Sequence, residues 1–195
     1  MSLKIKVISG SVREGRFNDK PANWITEELK KHEDVEVELL DLKEYELPFF
    51  NAPERPSYKQ KPYENPAVAK WTAKISEADA FIMVTPEYNH GTSAVLKNAI
   101  DWVGPEWNNK PVAFVSYGTV GGARAVEQLR LIAGELQMMD IRNAILIPSH
   151  QFIPVLMGQT KAKDLFDSLE KPAEAMISQL LWWTELLKNG RINKK

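Results

Sequence analysis

TPEYNHGTSAVLKNAIDW, Thr85 to Trp102, follows directly on the apolar run AFIMV, and this junction decides how the chain folds. An apolar run of that length, closed by a turn, reads as a strand buried on both faces. The turn then presents a carboxylate, an aromatic ring, an amide and an imidazole in Glu87, Tyr88, Asn89 and His90. Gly91 lets the backbone approach a neighbour closely. Helical spacing resumes over Ser93 to Val103, with Thr92 or Ser93 as the cap. In open α/β sheets, a turn at the carboxyl end of a buried strand is where ligands bind. The stretch therefore predicts a layered α/β fold and a loop that takes a flat, polar small molecule.

Outward from this junction the same alternation continues. Strands are expected over Leu3 to Ser9, Val35 to Leu42, Ala80 to Val84, Val112 to Ser116 and Ile141 to Ile147. Helices are expected over Asn18 to His32, Pro66 to Ala78, Ser93 to Val103, Ala123 to Met138 and Leu169 to Leu187. Strands separated by helical patterns imply a parallel sheet covered on both faces. Five such strands suit the flavodoxin-like order 2-1-3-4-5 in a three-layer α/β sandwich. Residues 1–195 read as one domain of this type. Pro48 to Pro66 interrupts the rhythm with five of the twelve prolines, so no regular element is expected there. Phe49, Phe50, Tyr58 and Tyr63 give that segment two readings, a plain surface connection or a lip over a site or subunit contact. In the final helix Ala173, Ile177, Leu180 and Leu187 form a packing stripe. Trp182 and Leu186 extend the apolar arc, and Trp182-Trp183 exceeds what one sheet face covers, which hints at a dimer.

Composition narrows the chemistry. The net charge of -1 and the lack of a basic run argue against a nucleic-acid surface; Lys194-Lys195 is too short to form one. The chain has no cysteine, which excludes disulfides, a thiolate nucleophile and an iron–sulfur cluster. His32, His90 and His150 are dispersed without metal-ligand spacing, so no metal is expected. The opening MSLKIKVISGS lacks the apolar core of a signal peptide, and no apolar run matches a membrane span. A cytoplasmic protein without membrane contact is expected.

The glycines locate the site. Gly10, Gly15, Gly91, Gly118, Gly121 and Gly122 all follow expected strands one, three and four, and none occurs between Arg16 and His90. In a 2-1-3-4-5 sheet those three turns lie side by side. The first loop, GSVREGRFN from Gly10 to Asn18, opens a helix and carries Ser11, Arg13 and Arg16. Its N–H groups and guanidinium forks suit a terminal phosphomonoester, with Asn18 as a helix cap. It is neither a Walker A loop nor a dinucleotide fingerprint. Taken alone, the same residues also read as a surface turn with solvated arginines. In the second loop, Pro86 to Gly91 offers backbone groups to the edge of a planar heterocycle; Glu87 and His90 invite proton-transfer roles, though fixing the turn is the simpler role for each. The third loop, SYGTVGGAR from Ser116 to Arg124, brings the N–H groups of Gly121 and Gly122 to a helix start, where they favour negative charge on a ring that accepts electrons. A phosphate in the first loop and a flat ring between the other two add up to FMN.

The stretches ISGSVREGR, TPEYNHGTSAVLKNAID and SYGTVGGARAVEQLR, spanning Ile8 to Arg130, resemble the NADPH-dependent FMN reductase family, flavodoxin-like quinone and azo-compound reductases included. The resemblance implies phosphate binding by Ser11, Arg13 and Arg16, with Asn18 beside them. Many members carry serine and then asparagine here; this chain has Arg16-Phe17-Asn18, the Gly-Arg form of one branch. It further implies ring contacts from Pro86, Glu87, Tyr88, Asn89 and Gly91 on one side, and from Tyr117, Gly118, Gly121 and Gly122 on the other, with Ser116 opening that loop. The implied activity is two-electron hydride transfer from NADPH or NADH through FMN to a flavin, quinone or similar small-molecule acceptor. Flavin N5 carries the chemistry, and no side chain is assigned as catalytic. An electron carrier of the flavodoxin type and a non-enzymatic regulatory protein remain as alternatives. The near-neutral charge argues against the first and the intact phosphate loop against the second.

Overall fold

The computed structural model describes residues 2–58 and 63–193. Its strands are β1 (Leu3–Ser9), β2 (Val35–Asp41), β3 (Ala80–Pro86), β4 (Pro111–Gly118) and β5 (Met139–Pro148). They form one parallel sheet in the order β2-β1-β3-β4-β5, as expected. β3 and β4 are buried along their whole length, which explains why their sequences read as unbroken apolar runs.

Between and after the strands run α1 (Asp19–Lys30), α2 (Pro66–Glu77), α3 (Ala94–Asp101), α4 (Ala123–Glu135), α5 (Ser149–Leu156), α6 (Ala162–Asp167) and α7 (Glu170–Ile192). The strand period of two sorts the core into two layers. Ile5, Val7, Ile82, Val84, Ala113 and Val115 face α1 and α7, where they meet Ile25, Leu29, Ile177 and Leu180. Ile8, Phe81, Met83, Val112 and Phe114 face α2, α3 and α4, where they meet Trp71, Ile75, Leu96, Ile100 and Leu129.

Local chemistry sets the helix starts. Asn65 caps α2 by accepting from Ala67 N–H at 2.9 Å and Val68 N–H at 3.2 Å, with Pro66 inside the first turn. Of the two candidate caps for α3, Ser93 does the work, accepting from Leu96 N–H at 3.2 Å. The hydroxyl of Thr92 is instead 2.8 Å from that of Thr85. The expected capping of α1 by Asn18 does not occur. Asn18 has right-handed helical dihedrals, and its side chain caps nothing because its amide donates to Ser9 Oγ at 2.8 Å.

The proline-rich segment docks on α3. Asn98 donates to Pro48 O at 2.9 Å and accepts from Phe50 N–H at 2.8 Å, while Trp102 Nε1 reaches the same Pro48 carbonyl. Phe50 and Tyr63 each pack edge-on against the Trp102 ring. Phe49 and Tyr58 stay exposed. Residues 59–62 of this segment, like Lys194-Lys195, lie outside the described residues.

At the amino edge of the sheet Asp79 fastens both ends of the fold. Its carboxylate accepts from Lys4 N–H at 3.0 Å, Lys188 at 2.7 Å and Arg191 at 2.9 Å. Lys188 also donates to Ser2 O at 2.8 Å.

Candidate functional site

β1, β3 and β4 are consecutive in the sheet, so the loops that leave their carboxyl ends are neighbours. Their contacts make them one unit. Gly10 N–H donates to Val84 O at 2.8 Å, and Ser93 Oγ–H donates to Gly10 O. A Cβ on Gly10 would meet Val84 O at 2.8 Å and Leu96 at 2.9 Å, so only glycine fits. The Ser11 and Tyr88 hydroxyls are 3.3 Å apart, joining the first loop to the second. Glu87 N–H donates to Tyr117 O at 2.9 Å, joining the second to the end of β4.

In the first loop Ser11 is buried. The N–H groups of Val12, Glu14, Gly15, Phe17 and Asn18 have no acceptor among the described residues. Such a run of unspent donors at a helix start is an anion cradle. Arg13 is exposed and makes no ion pair among the described residues. Arg16 behaves differently from the expected free fork. Its terminal nitrogens grip Asp41 at 2.9 and 2.5 Å, reach Asp19 at 2.6 Å and also bond to Ser11 O. Asp41 in turn keeps the Arg16 guanidinium firmly protonated. Burial alone would push the Asp41 carboxyl up, but Arg16 and the Lys43 N–H together hold it below the usual carboxylate range. What Arg16 leaves open is Nε, which is buried without a partner, as is Asn18 Oδ1. Two buried polar atoms unsatisfied within one short loop leave hydrogen-bonding capacity that a ligand can take up.

In the second loop Tyr88 and Gly91 exchange hydrogen bonds of 2.9 and 3.1 Å around Asn89 (φ 48°) and His90 (φ 74°). Both central residues therefore have positive φ, as in a type I′ turn. The expected row of backbone groups is thereby thinned. The N–H groups of Glu87, Tyr88 and Gly91 are spent inside the fold, and those of Asn89 and His90 have no acceptor among the described residues. Gln128 on α4 steadies the turn by donating to His90 O at 2.9 Å.

The third loop corrects a further expectation. Gly121 N–H donates to Gly118 O at 3.1 Å, so it is not available to a ligand. The N–H groups of Thr119, Val120 and Gly122 have no acceptor among the described residues. Gly122 packs against Ser116, whose hydroxyl donates to Thr85 O at 2.9 Å. Ser116 thus acts within the wall of the site. Tyr117 is buried between Phe17 and Phe152, and burial, with Tyr88 adding to it, raises its phenol above the ordinary value.

Glu87 is an ion-pair partner rather than a free acid. It is nearly inaccessible and is held by Arg124 Nε at 2.6 Å and Arg124 N–H at 3.2 Å. Burial opposes its ionisation, yet the Arg124 bonds prevail and keep its carboxyl below the usual range. Asp41, Arg124 and Gln128 were not singled out from the sequence. For Asp41 a signal existed: an acidic residue closing β2, the strand beside β1, next to an arginine-bearing loop.

Comparison with known proteins shows what the chain is similar to. The family model described as NADPH-dependent FMN reductase matches residues 3–152. An NAD(P)H-dependent FMN reductase of Schizosaccharomyces pombe is 41% identical over 135 residues, covering 69% of this chain and 68% of that protein. An NAD(P)H:quinone oxidoreductase of Solanum tuberosum is 35% identical, covering 67% of this chain and 66% of that one. Among solved structures, the flavoenzyme NAD(P)H:(acceptor) oxidoreductase FerB of Paracoccus denitrificans superposes with a TM-score of 0.68 at 22% identity, over 91% of this chain and 97% of that one.

Proposed function

The chain belongs to the NADPH-dependent FMN reductase family, and on that premise we propose that its three clustered loops hold FMN, the phosphate in the first and the ring between the other two. The activity that membership carries is NAD(P)H-dependent oxidoreduction, which sets aside the carrier and scaffold alternatives. When bound, FMN supplies the hydride chemistry at N5.

The observation that carries the assignment is the unsatisfied first loop. Arg16 Nε, Ser11 Oγ, the free N–H groups and the Arg13 guanidinium are all donors, the set that a phosphate dianion requires. Asn18 fits as well. Ser9 Oγ can donate or accept, so the Asn18 amide can turn over, satisfy Ser9 through Oδ1 and offer Nδ2 to the phosphate. Tyr88 closes the loop from above through Ser11. Pro86 to Gly91 lines one edge of the ring, giving it the N–H groups of Asn89 and His90. Tyr117, Gly118, Gly121 and Gly122 line the other, with Ser116 behind them and the Gly122 N–H as donor. No side chain serves as a nucleophile.

The test is anaerobic addition of NADPH to purified protein. The protein should be yellow, or turn so with added FMN, and should bleach without any partner reductase. A colourless protein indifferent to FMN would sink the proposal. The acceptor is a small molecule of the flavin or quinone kind, and a panel of such acceptors added after reduction identifies it. NADPH and NADH both remain donors, since no residue pattern reads the ribose phosphate.

No helix among the described residues is long and apolar enough to cross a membrane. With NAD(P)H as the donor, we place the enzyme in the cytoplasm; recovery in the membrane fraction of lysed cells would contradict this. Trp182, Leu186 and Ile192 leave roughly half their surface exposed on α7, which supports a homodimer or homotetramer. Sedimentation equilibrium at micromolar protein should show mass above one chain; a monomer alone would remove the oligomer.

A further inference from the structure

The start of α4 is built without a cap of its own. Gly122 occupies the cap position in a left-handed conformation (φ 77°) and has no side chain to offer. The service comes from another loop. Glu87 accepts from Arg124 N–H at 3.2 Å and Arg124 Nε–H at 2.6 Å. The Glu87 side chain is 3% exposed, whereas that of Arg124 is 42% exposed. A buried carboxylate therefore sits at the positive end of a helix, beneath the loop whose free N–H groups were assigned to the ring.

This placement has an electrostatic consequence. Reduction adds negative charge to the bound ring. The α4 terminus and the Arg124 guanidinium favour that charge, and Glu87 opposes it. In the intact pair each side chain offsets the other. We propose that the Glu87–Arg124 pair sets the reduction potential of the bound flavin, by balancing a buried carboxylate against a half-exposed guanidinium at the α4 terminus. The inference rests on the reading that the ring lies between the second and third loops. A structural role alone would also tie those loops together, but it makes no prediction about sign. The charge-balance role does.

The test measures the two-electron midpoint of FMN-loaded protein against a reference dye for the native chain, Glu87→Gln, Arg124→Gln and Arg124→Lys. It is read at about pH 9, which favours the ionised form of a carboxyl whose burial pushes its pKa up. Glu87→Gln leaves an unopposed cation, and its oxidised-to-reduced equilibrium should shift about tenfold toward reduced, roughly 30 mV upward for a two-electron couple. Arg124→Gln leaves an unopposed carboxylate and should shift by a similar factor downward. Arg124→Lys keeps the charge and should stay within about twofold of the native value. Opposite signs with a silent lysine support the proposal. Shifts of the same sign, no shift, or a lysine variant that moves as far as glutamine overturn it. Should Glu87→Gln fail to fold, the two Arg124 variants decide the matter by the same criteria. If the native chain itself binds no FMN, the assignment of the loops fails, a result distinct from a native chain that binds FMN while its variants keep one potential.

Discussion

Gly122→Ala is expected to unfold the third loop. A Cβ at this position would lie 1.9 Å from Ser116 Oγ, 2.7 Å from Ser116 Cβ and 2.9 Å from Tyr117 N. No side chain can absorb this, because Ser116 belongs to the fully buried β4 and its hydroxyl is bonded to Thr85 O. Left-handed strain adds about 1–2 kcal/mol for a residue with a Cβ, and overpacking a filled site about 1–3 kcal/mol. The total, roughly 2–5 kcal/mol, is a large share of what holds a domain folded. Urea unfolding should show the midpoint falling by about 1 M or more. Adding Ser116→Gly should restore part of the loss, since it removes two of the three clashes and leaves the one with Tyr117 N. An unchanged midpoint in the single variant would mean that the loop is not packed against β4 as described.

Arg13→Ala is expected to weaken FMN binding by about 1.5–3 kcal/mol, roughly 10- to 150-fold in Kd. The reasoning turns on what Arg16 does. Its terminal nitrogens are committed to Asp41, Asp19 and Ser11 O, so it offers a phosphate only Nε. Arg13 is left as the free guanidinium of the loop. Losing it removes a charge-assisted bond with no substitute nearby. Riboflavin, which lacks the phosphate, should bind both proteins equally, and this separates loss of a phosphate contact from general damage. Raising the ionic strength should narrow the difference for FMN, because Arg13 is exposed. An unchanged ratio of FMN to riboflavin affinity would take Arg13 out of the site.

The sheet order was legible because β3 and β4 are apolar runs that end in a loop and a helix, and the other strand patterns alternate with helical ones. α5 and α6 were not foreseen. Pro148, Pro154 and Gly158 punctuate that stretch, and the helices are short. What holds them is tertiary: Leu165 and Phe166 are buried, and Phe166 stacks on Trp24 at 4.7 Å. Local periodicity carries no trace of such support. In the site, glycine placement revealed which loops cooperate, since close backbone approach restricts residue type at Gly10 and Gly122. Pairings across the fold left no such mark. Arg16 meets Asp41 across 25 positions and Arg124 meets Glu87 across 37, so neither partnership could be read from spacing. Gly121 differs, because its N–H is diverted to Gly118 by a local turn three residues wide.

The Asp79 clasp also settles the geometry of handling. Lys4, Lys188 and Arg191 gather around one carboxylate, and Lys188 also holds Ser2 O, at the rim opposite the three loops. A tether attached near Ser2 or Arg191 would leave the three clustered loops facing away from its support. Enzyme grafted to a bead or an electrode through that rim would present its reactive side to the solution.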